Sequence, residues 1–91
     1  MRLKSKEVSL IKQVIGNIFD DATVYLFGSR LDDTKQGGDI DLFVIAKNAT
    51  FSNKIKALAK LQRELHKPVD IVLHKDFSQA IEQEALKGVK I

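Results

Sequence analysis

Three aspartates and a Gly-Ser pair are the residues of this chain whose types and spacing can do chemistry. Asp39 and Asp41 stand two apart in a run that alternates as a strand does, so their carboxylates point to one side, about 6–7 Å apart along the backbone. Two like charges that close gain nothing for a core. They are either solvated at a strand start or held by a hard cation such as magnesium, which takes carboxylate and phosphate oxygens. Asp70 sits inside Val69-Asp70-Ile71-Val72-Leu73. A carboxylate in so apolar a run must be solvated, paired or functional, because an unpaired buried charge is costly. Three convergent carboxylates suit a two-metal site that clamps the attacking and leaving oxygens of a phosphoryl displacement. Gly28-Ser29 follows a strand-like run. Glycine there lets backbone approach a ligand closely, and free N–H groups with the serine hydroxyl form a phosphate cradle. Each feature alone also has a plain reading: a solvated acidic loop, an edge carboxylate paired with a lysine, and an ordinary turn.

Convergence depends on the elements that carry these residues. Val8, Ile11, Val14, Ile15, Ile18 and Phe19 recur at helical spacing, which predicts an amphipathic helix over 5–19 with Ser5 as its N-cap. Val24 to Phe27 reads as a buried strand stopped by Gly28, and Leu31 to Gly38 as a loop. From 39 to 46 the pattern alternates: Ile40, Leu42, Val44 and Ala46 share one face, and Asp39, Asp41, Phe43 and Ile45 the other. A second helix covers 51–66, with Phe51, Ile55, Leu58, Leu61 and Leu65 as its core stripe, and Pro68 ends it. A third strand follows at 69–73 and a last helix at 78–87, stopped by Gly88. The order α-β-(α turn)-β-α-β-α, with one helical turn at the start of that loop, predicts an α+β fold, a three-stranded mixed sheet flanked by helices. The first two strands are expected to pair antiparallel, and the β-α-β unit to form a right-handed parallel crossover. That arrangement brings Gly28-Ser29, Asp39, Asp41 and Asp70 to one edge. His74 falls on the Asp70 face but reads as a surface residue at a strand end, His66 as helix C-terminal charge, and Tyr25 and Phe27 as core.

Ninety-one residues allow one domain with a thin core. Apolar residues make up 44% and charged residues 30%, and no apolar run approaches the roughly 20 residues of a membrane span. There is no cysteine, which excludes disulfides, a thiol nucleophile and zinc–thiolate sites. The N-terminus has no signal-peptide h-region, so a cytoplasmic protein is expected. A net charge of +3 is compatible with a nucleotide or nucleic acid partner without arguing for one, yet four aspartates lie between Asp32 and Asp41.

Leu26-Phe27-Gly28-Ser29-Arg30, nine residues from Arg30 to Gly38 and then Asp39-Ile40-Asp41-Leu42 resemble the hallmark of the DNA polymerase beta-like nucleotidyltransferase superfamily. Asp70 matches that family's third carboxylate, and the chain most resembles its small bacterial and archaeal branch, the minimal nucleotidyltransferases. The resemblance implies that Gly28, Ser29 and Arg30 bind a nucleoside triphosphate. It implies further that Asp39 and Asp41 ligate two magnesium ions, and that Asp70 ligates the catalytic one and accepts the proton of the attacking hydroxyl. One departure is Leu31-Asp32-Asp33, where many members have Ala-Arg-Gly, so that a phosphate-contacting arginine is lost there or supplied by Arg30. Members of this branch are commonly paired with a helical HEPN ribonuclease toxin and act as its antitoxin, moving AMP from ATP onto it. Ninety-one residues leave no room for an acceptor-binding domain, so a partner or a homo-oligomer must supply one. The implied function is magnesium-dependent transfer of AMP onto a protein hydroxyl. The alternatives are a non-catalytic antitoxin that neutralises its partner by contact, and transfer to an RNA end or a small molecule.

Overall fold

The computed structural model describes residues 3–28, 40–76 and 78–91. The first helix, α1 (Ser5–Ile18), buries Ile11, Val14 and Ile15. Lys4 occupies the cap position and Ser5, expected there, is the first helical residue. The end is closed instead by Glu7, whose Oε1 accepts the Lys4 N–H at 3.1 Å. At the other end Asn48, far along the chain, accepts from the Asp20 N–H at 2.6 Å and donates to the Ile18 carbonyl at 3.1 Å. Those bonds satisfy groups that the helix itself leaves unpaired.

Strands β1 (Thr23–Phe27) and β2 (Ile40–Ile45) pair antiparallel, and β2 pairs parallel with β3 (Val69–Leu73). Both orientations match the expectation. The sheet has four strands rather than three, in the order β3-β2-β1-β4. The addition, β4 (Val89–Lys90), lies antiparallel to β1. Gly88 permits this, because a Cβ there would strike the backbone carbonyl of Leu26. Two residues after a glycine carry no alternation pattern, which is why β4 left no mark in the sequence.

The helix α2 (Phe51–Leu65) crosses from β2 to β3. Thr50 Oγ1 caps it by accepting the Asn53 N–H at 3.1 Å. His66 ends it in the left-handed region, φ 55°, donating its N–H to the Gln62 carbonyl. His66 therefore acts through its backbone, where charge at the helix end was expected. The last helix, α3, is shorter than expected, Ala80–Leu86. Ser78 stays outside it, and its N–H and Oγ both bond Asp76 Oδ1. Those bonds hold the exposed Asp76 carboxyl below its usual range.

The strand alternation divides the molecule into unequal halves. Val24, Leu26, Ile40, Leu42, Val44, Val69 and Ile71 pack with the buried stripes of α1 and α2 into the main core. Among the described residues the opposite face buries Phe27 and Phe43 against Ala85 of α3, with Tyr25, Ile45, Val72 and Leu86 half-buried around them. The stripe of α2 is the main correction. Ala57, Leu61 and Leu65 are buried, but Phe51 is 72% exposed and Ile55 47%. The sequence stripe is wider than the surface beneath it: β3 is the edge strand, and Phe51 on the flank of α2 stands beside that edge instead of under the core.

An ion pair fastens the chain just before β3. Lys67 Nζ lies 2.7 Å from Glu7 Oε2, and the glutamate side chain is only 13% exposed. Burial raises the Glu7 pKa, but the Lys67 ammonium and the Lys4 N–H outweigh it and leave the value below the ordinary 4.5. A lowered carboxylate pKa adds stability that is present above the unfolded value and is lost as pH falls through the folded one. Urea midpoints of the wild type and Lys67→Met should therefore differ at neutral pH and converge as the pH is taken below 4.5. Lines that stay parallel down to full protonation would remove the pair from the account. Among the described residues, no helix is long and apolar enough to cross a membrane.

Candidate active site

The pairing register places the site. Phe27 lies opposite Asp41, and Asp41 lies opposite Asp70. Residues opposite one another leave the sheet on the same face, so both carboxylates stand side by side on the α3 face, on strands about 4.8 Å apart. Asp41 stands beside Phe27 of the Phe43 cluster and is half-buried, and Asp70, one strand further out, is exposed. Asp70 Oδ1 accepts the N–H of its neighbour Ile71 at 2.9 Å.

Gly28 closes one side of this pair. Its φ is +81°, in the region that favours glycine, and a Cβ built on it would run into the Asp41 carboxylate, 3.2 Å from Cγ. The backbone that leaves β1 is thus pressed against Asp41, a contact that no other residue type permits without displacing the carboxylate. Gly28, Asp41 and Asp70 are brought together as the topology requires. Ser29, Arg30 and Asp39, and the loop from Leu31 to Gly38, lie outside the described residues.

Sequence reasoning missed a second polar pair. His74, expected at the surface, has a side chain 22% exposed, and its Nδ1 lies 2.8 Å from Oε1 of Glu82, which is fully buried. The same oxygen accepts the Lys75 N–H at 3.1 Å, and the Phe43 ring meets the imidazole edge-on with centroids 6.3 Å apart. Glu82 thereby ties the end of β3 to α3. The available signal was the helical spacing of Glu82 with Ala85 and Leu86, which puts the glutamate on the inner stripe while Ile81 faces out.

Along the outer side of β3 runs a cavity of about 470 Å³, walled by Phe51 and Lys54 of α2, by residues Asp70 to Lys75, and by Gln79. Asp70 opens onto it at one end. Two in-register carboxylates beside a cramped glycine turn can hold a hard divalent ion, which takes one or two carboxylates and completes its shell with waters and substrate phosphates. The donor set fits magnesium in that respect. No group of three or more metal-binding side chains gathers among the described residues, and the third carboxylate of the pattern, Asp39, is not one of them.

The family model described as "Polymerase beta, Nucleotidyltransferase" matches residues 9–91, from within α1 to the last residue. No curated protein matches the chain.

Proposed function

The chain belongs to the polymerase beta nucleotidyltransferase family, and from that premise we propose that it transfers AMP from ATP to a hydroxyl group of a partner protein. Nucleotidyl transfer itself follows from the family. The observation that supports this use of the site is the row formed by Gly28, Asp41 and Asp70. Two carboxylates in register stand beside a backbone turn that admits no side chain. Asp41 and Asp70 would hold magnesium together with Asp39, and Gly28 with Ser29 and Arg30 would bind the triphosphate. Magnesium, when bound, supplies the positive charge that offsets the phosphates and the charge developing in phosphoryl transfer. Asp70, the exposed member, takes the proton of the acceptor hydroxyl. The hydroxyl oxygen forms a bond to the α-phosphorus, the bond from that phosphorus to the bridging oxygen breaks, and pyrophosphate leaves with its electron pair.

The exposed position of Asp70 favours an acceptor as large as a protein, since a bulky partner can reach it from solvent at the end of the groove. A helical HEPN-type toxin is the partner that the family branch suggests, which makes the chain its antitoxin. Mg-ATP should raise the melting temperature by mass action on the folded state, and ATP without divalent ion should do so far less. Intact-mass spectrometry of a co-purified partner should then show added AMP units. Equal stabilisation with and without magnesium would count against the metal site. A tight complex that gains no mass would favour neutralisation by contact, and AMP transferred only to RNA or a small molecule would replace the protein acceptor.

A further inference from the structure

The outer edge of β3 has two properties that belong together. By the alternation of a parallel ladder, Asp70, Val72 and His74 turn their backbone groups toward β2, as the His74 N–H bond to the Val44 carbonyl records. Val69, Ile71 and Leu73 turn theirs outward. Among the described residues no strand pairs with that side. Two outward groups have side-chain partners: the Val69 carbonyl accepts from Gln62 Nε2 at 3.2 Å, and the Ile71 N–H is held by Asp70. Beyond Ile71 the cavity begins, roofed by the exposed Phe51. An open edge with an apolar roof is a template for strand addition, in which main-chain bonds give affinity and side pockets give choice.

We propose that an extended, acidic segment of a protein partner adds to the edge of β3 and delivers its acceptor hydroxyl to Asp70. This rests on the nucleotidyl-transfer reading of the same site and names how its acceptor is held. Charge argues for the occupant. Asp70 marks one end of the groove; Lys54 and Lys75 mark the other, and among the described residues neither lysine has a salt bridge, although Lys75 lies in the field of the neighbouring Asp76 carboxylate. Four residues of extended chain, about 13 Å, separate Asp70 from the lysine end. A hydroxyl residue beside Asp70 thus puts acidic residues some four positions away against the lysines. A second copy fits less well. The antiparallel register that pairs all three outward residues, centred on Ile71, sets Lys75 of one copy against Lys67 of the other, whose Glu7 partner is already engaged, so that lysine end gains no carboxylate of its own. Docking also acts on the site. A strand added here presents a carbonyl to the Ile71 N–H and displaces the Asp70 carboxylate from it.

The test uses the whole chain with a panel of fluorescein-labelled peptides of about eight residues, alternating valine with threonine or tyrosine and ending in two glutamates, the pattern strand addition requires. Controls carry lysines for the glutamates, or N-methyl groups on alternate residues. The acidic peptides should bind at least tenfold more tightly than either control, Lys54→Glu with Lys75→Glu should reverse the charge preference, and the Ile71 and Leu73 amides should gain exchange protection. Failure of every acidic peptide to protect those amides overturns the proposal, as does equal binding of the N-methylated set. Protection that depends on protein concentration, with a dimer in sedimentation, would assign the edge to a second copy and overturn it too. The transfer reading fails separately: Mg-ATP would then leave the melting temperature unchanged while the peptides still protect β3.

Discussion

Asp41→Asn and Asp70→Asn should each abolish most nucleotidyl transfer while leaving the protein folded. Asparagine keeps the shape and, at position 70, an oxygen to accept the Ile71 N–H. It removes one negative charge from a place where metal and phosphate are to be held. Charge stabilisation of this kind supplies several kcal/mol, and each 1.36 kcal/mol is tenfold in rate, so a loss of about 10²–10³-fold is expected. Stability should move the other way. In the metal-free protein the two aspartates lie in register on one face of neighbouring strands, and removing one charge lessens the like-charge repulsion between them. Transfer assays and urea midpoints on the same samples separate the effects. A variant that unfolds would make the pair structural, and one that keeps full activity would move the chemistry elsewhere.

Gly28→Ala is expected to damage both properties. A Cβ forces the backbone at φ +81° into a region that costs an L-residue about 1–2 kcal/mol, and the new methyl lands on the Asp41 carboxylate. For a chain of this size the strain lowers the melting temperature by roughly 4–16 °C, at about 4–8 °C per kcal/mol. Transfer should fall further than the stability loss explains, because Asp41 is pushed from its place. Gly16→Ala is the control: on the exposed side of α1 an added Cβ meets nothing within 4 Å, and the helix should gain up to about 1 kcal/mol. If Gly28→Ala melts and reacts as the wild type does, the turn does not press on the site.

How much of this was legible depends on how local the cause is. The alternation from Ile40 to Ala46 assigned both faces of β2 because period two is written into the residues themselves. From the faces and the short β-α-β crossover, the meeting of Gly28, Asp41 and Asp70 followed by topology alone. What stayed hidden was set at a distance. Phe51 and Ile55 satisfy the helical period, and their exposure depends on β3 being the last strand on that side. Glu82 is a charged residue on a short helix, and its burial depends on an imidazole eight positions away on another element. Asn48 closes α1 from thirty residues along the chain, where no capping pattern reaches. Ser29, Arg30 and Asp39, which the motif singles out most clearly, lie outside the described residues.

The unequal halves of the sheet have a consequence for how the molecule opens. The face under α1 and α2 holds most of the buried apolar surface; the face under α3 holds Phe27, Phe43 and Ala85, fastened by Glu82. Local opening costs least where least is buried. The seven residues of α3 can therefore detach as a unit while the larger core stays closed, and native-state exchange divides into a slow tier in β1 and β2 and a fast one in α3. Since Glu82 bonds His74 and Lys75 just past the end of β3, each such opening loosens the tether of the strand that carries Asp70. The reaction site then has the mobility of the molecule's weaker half.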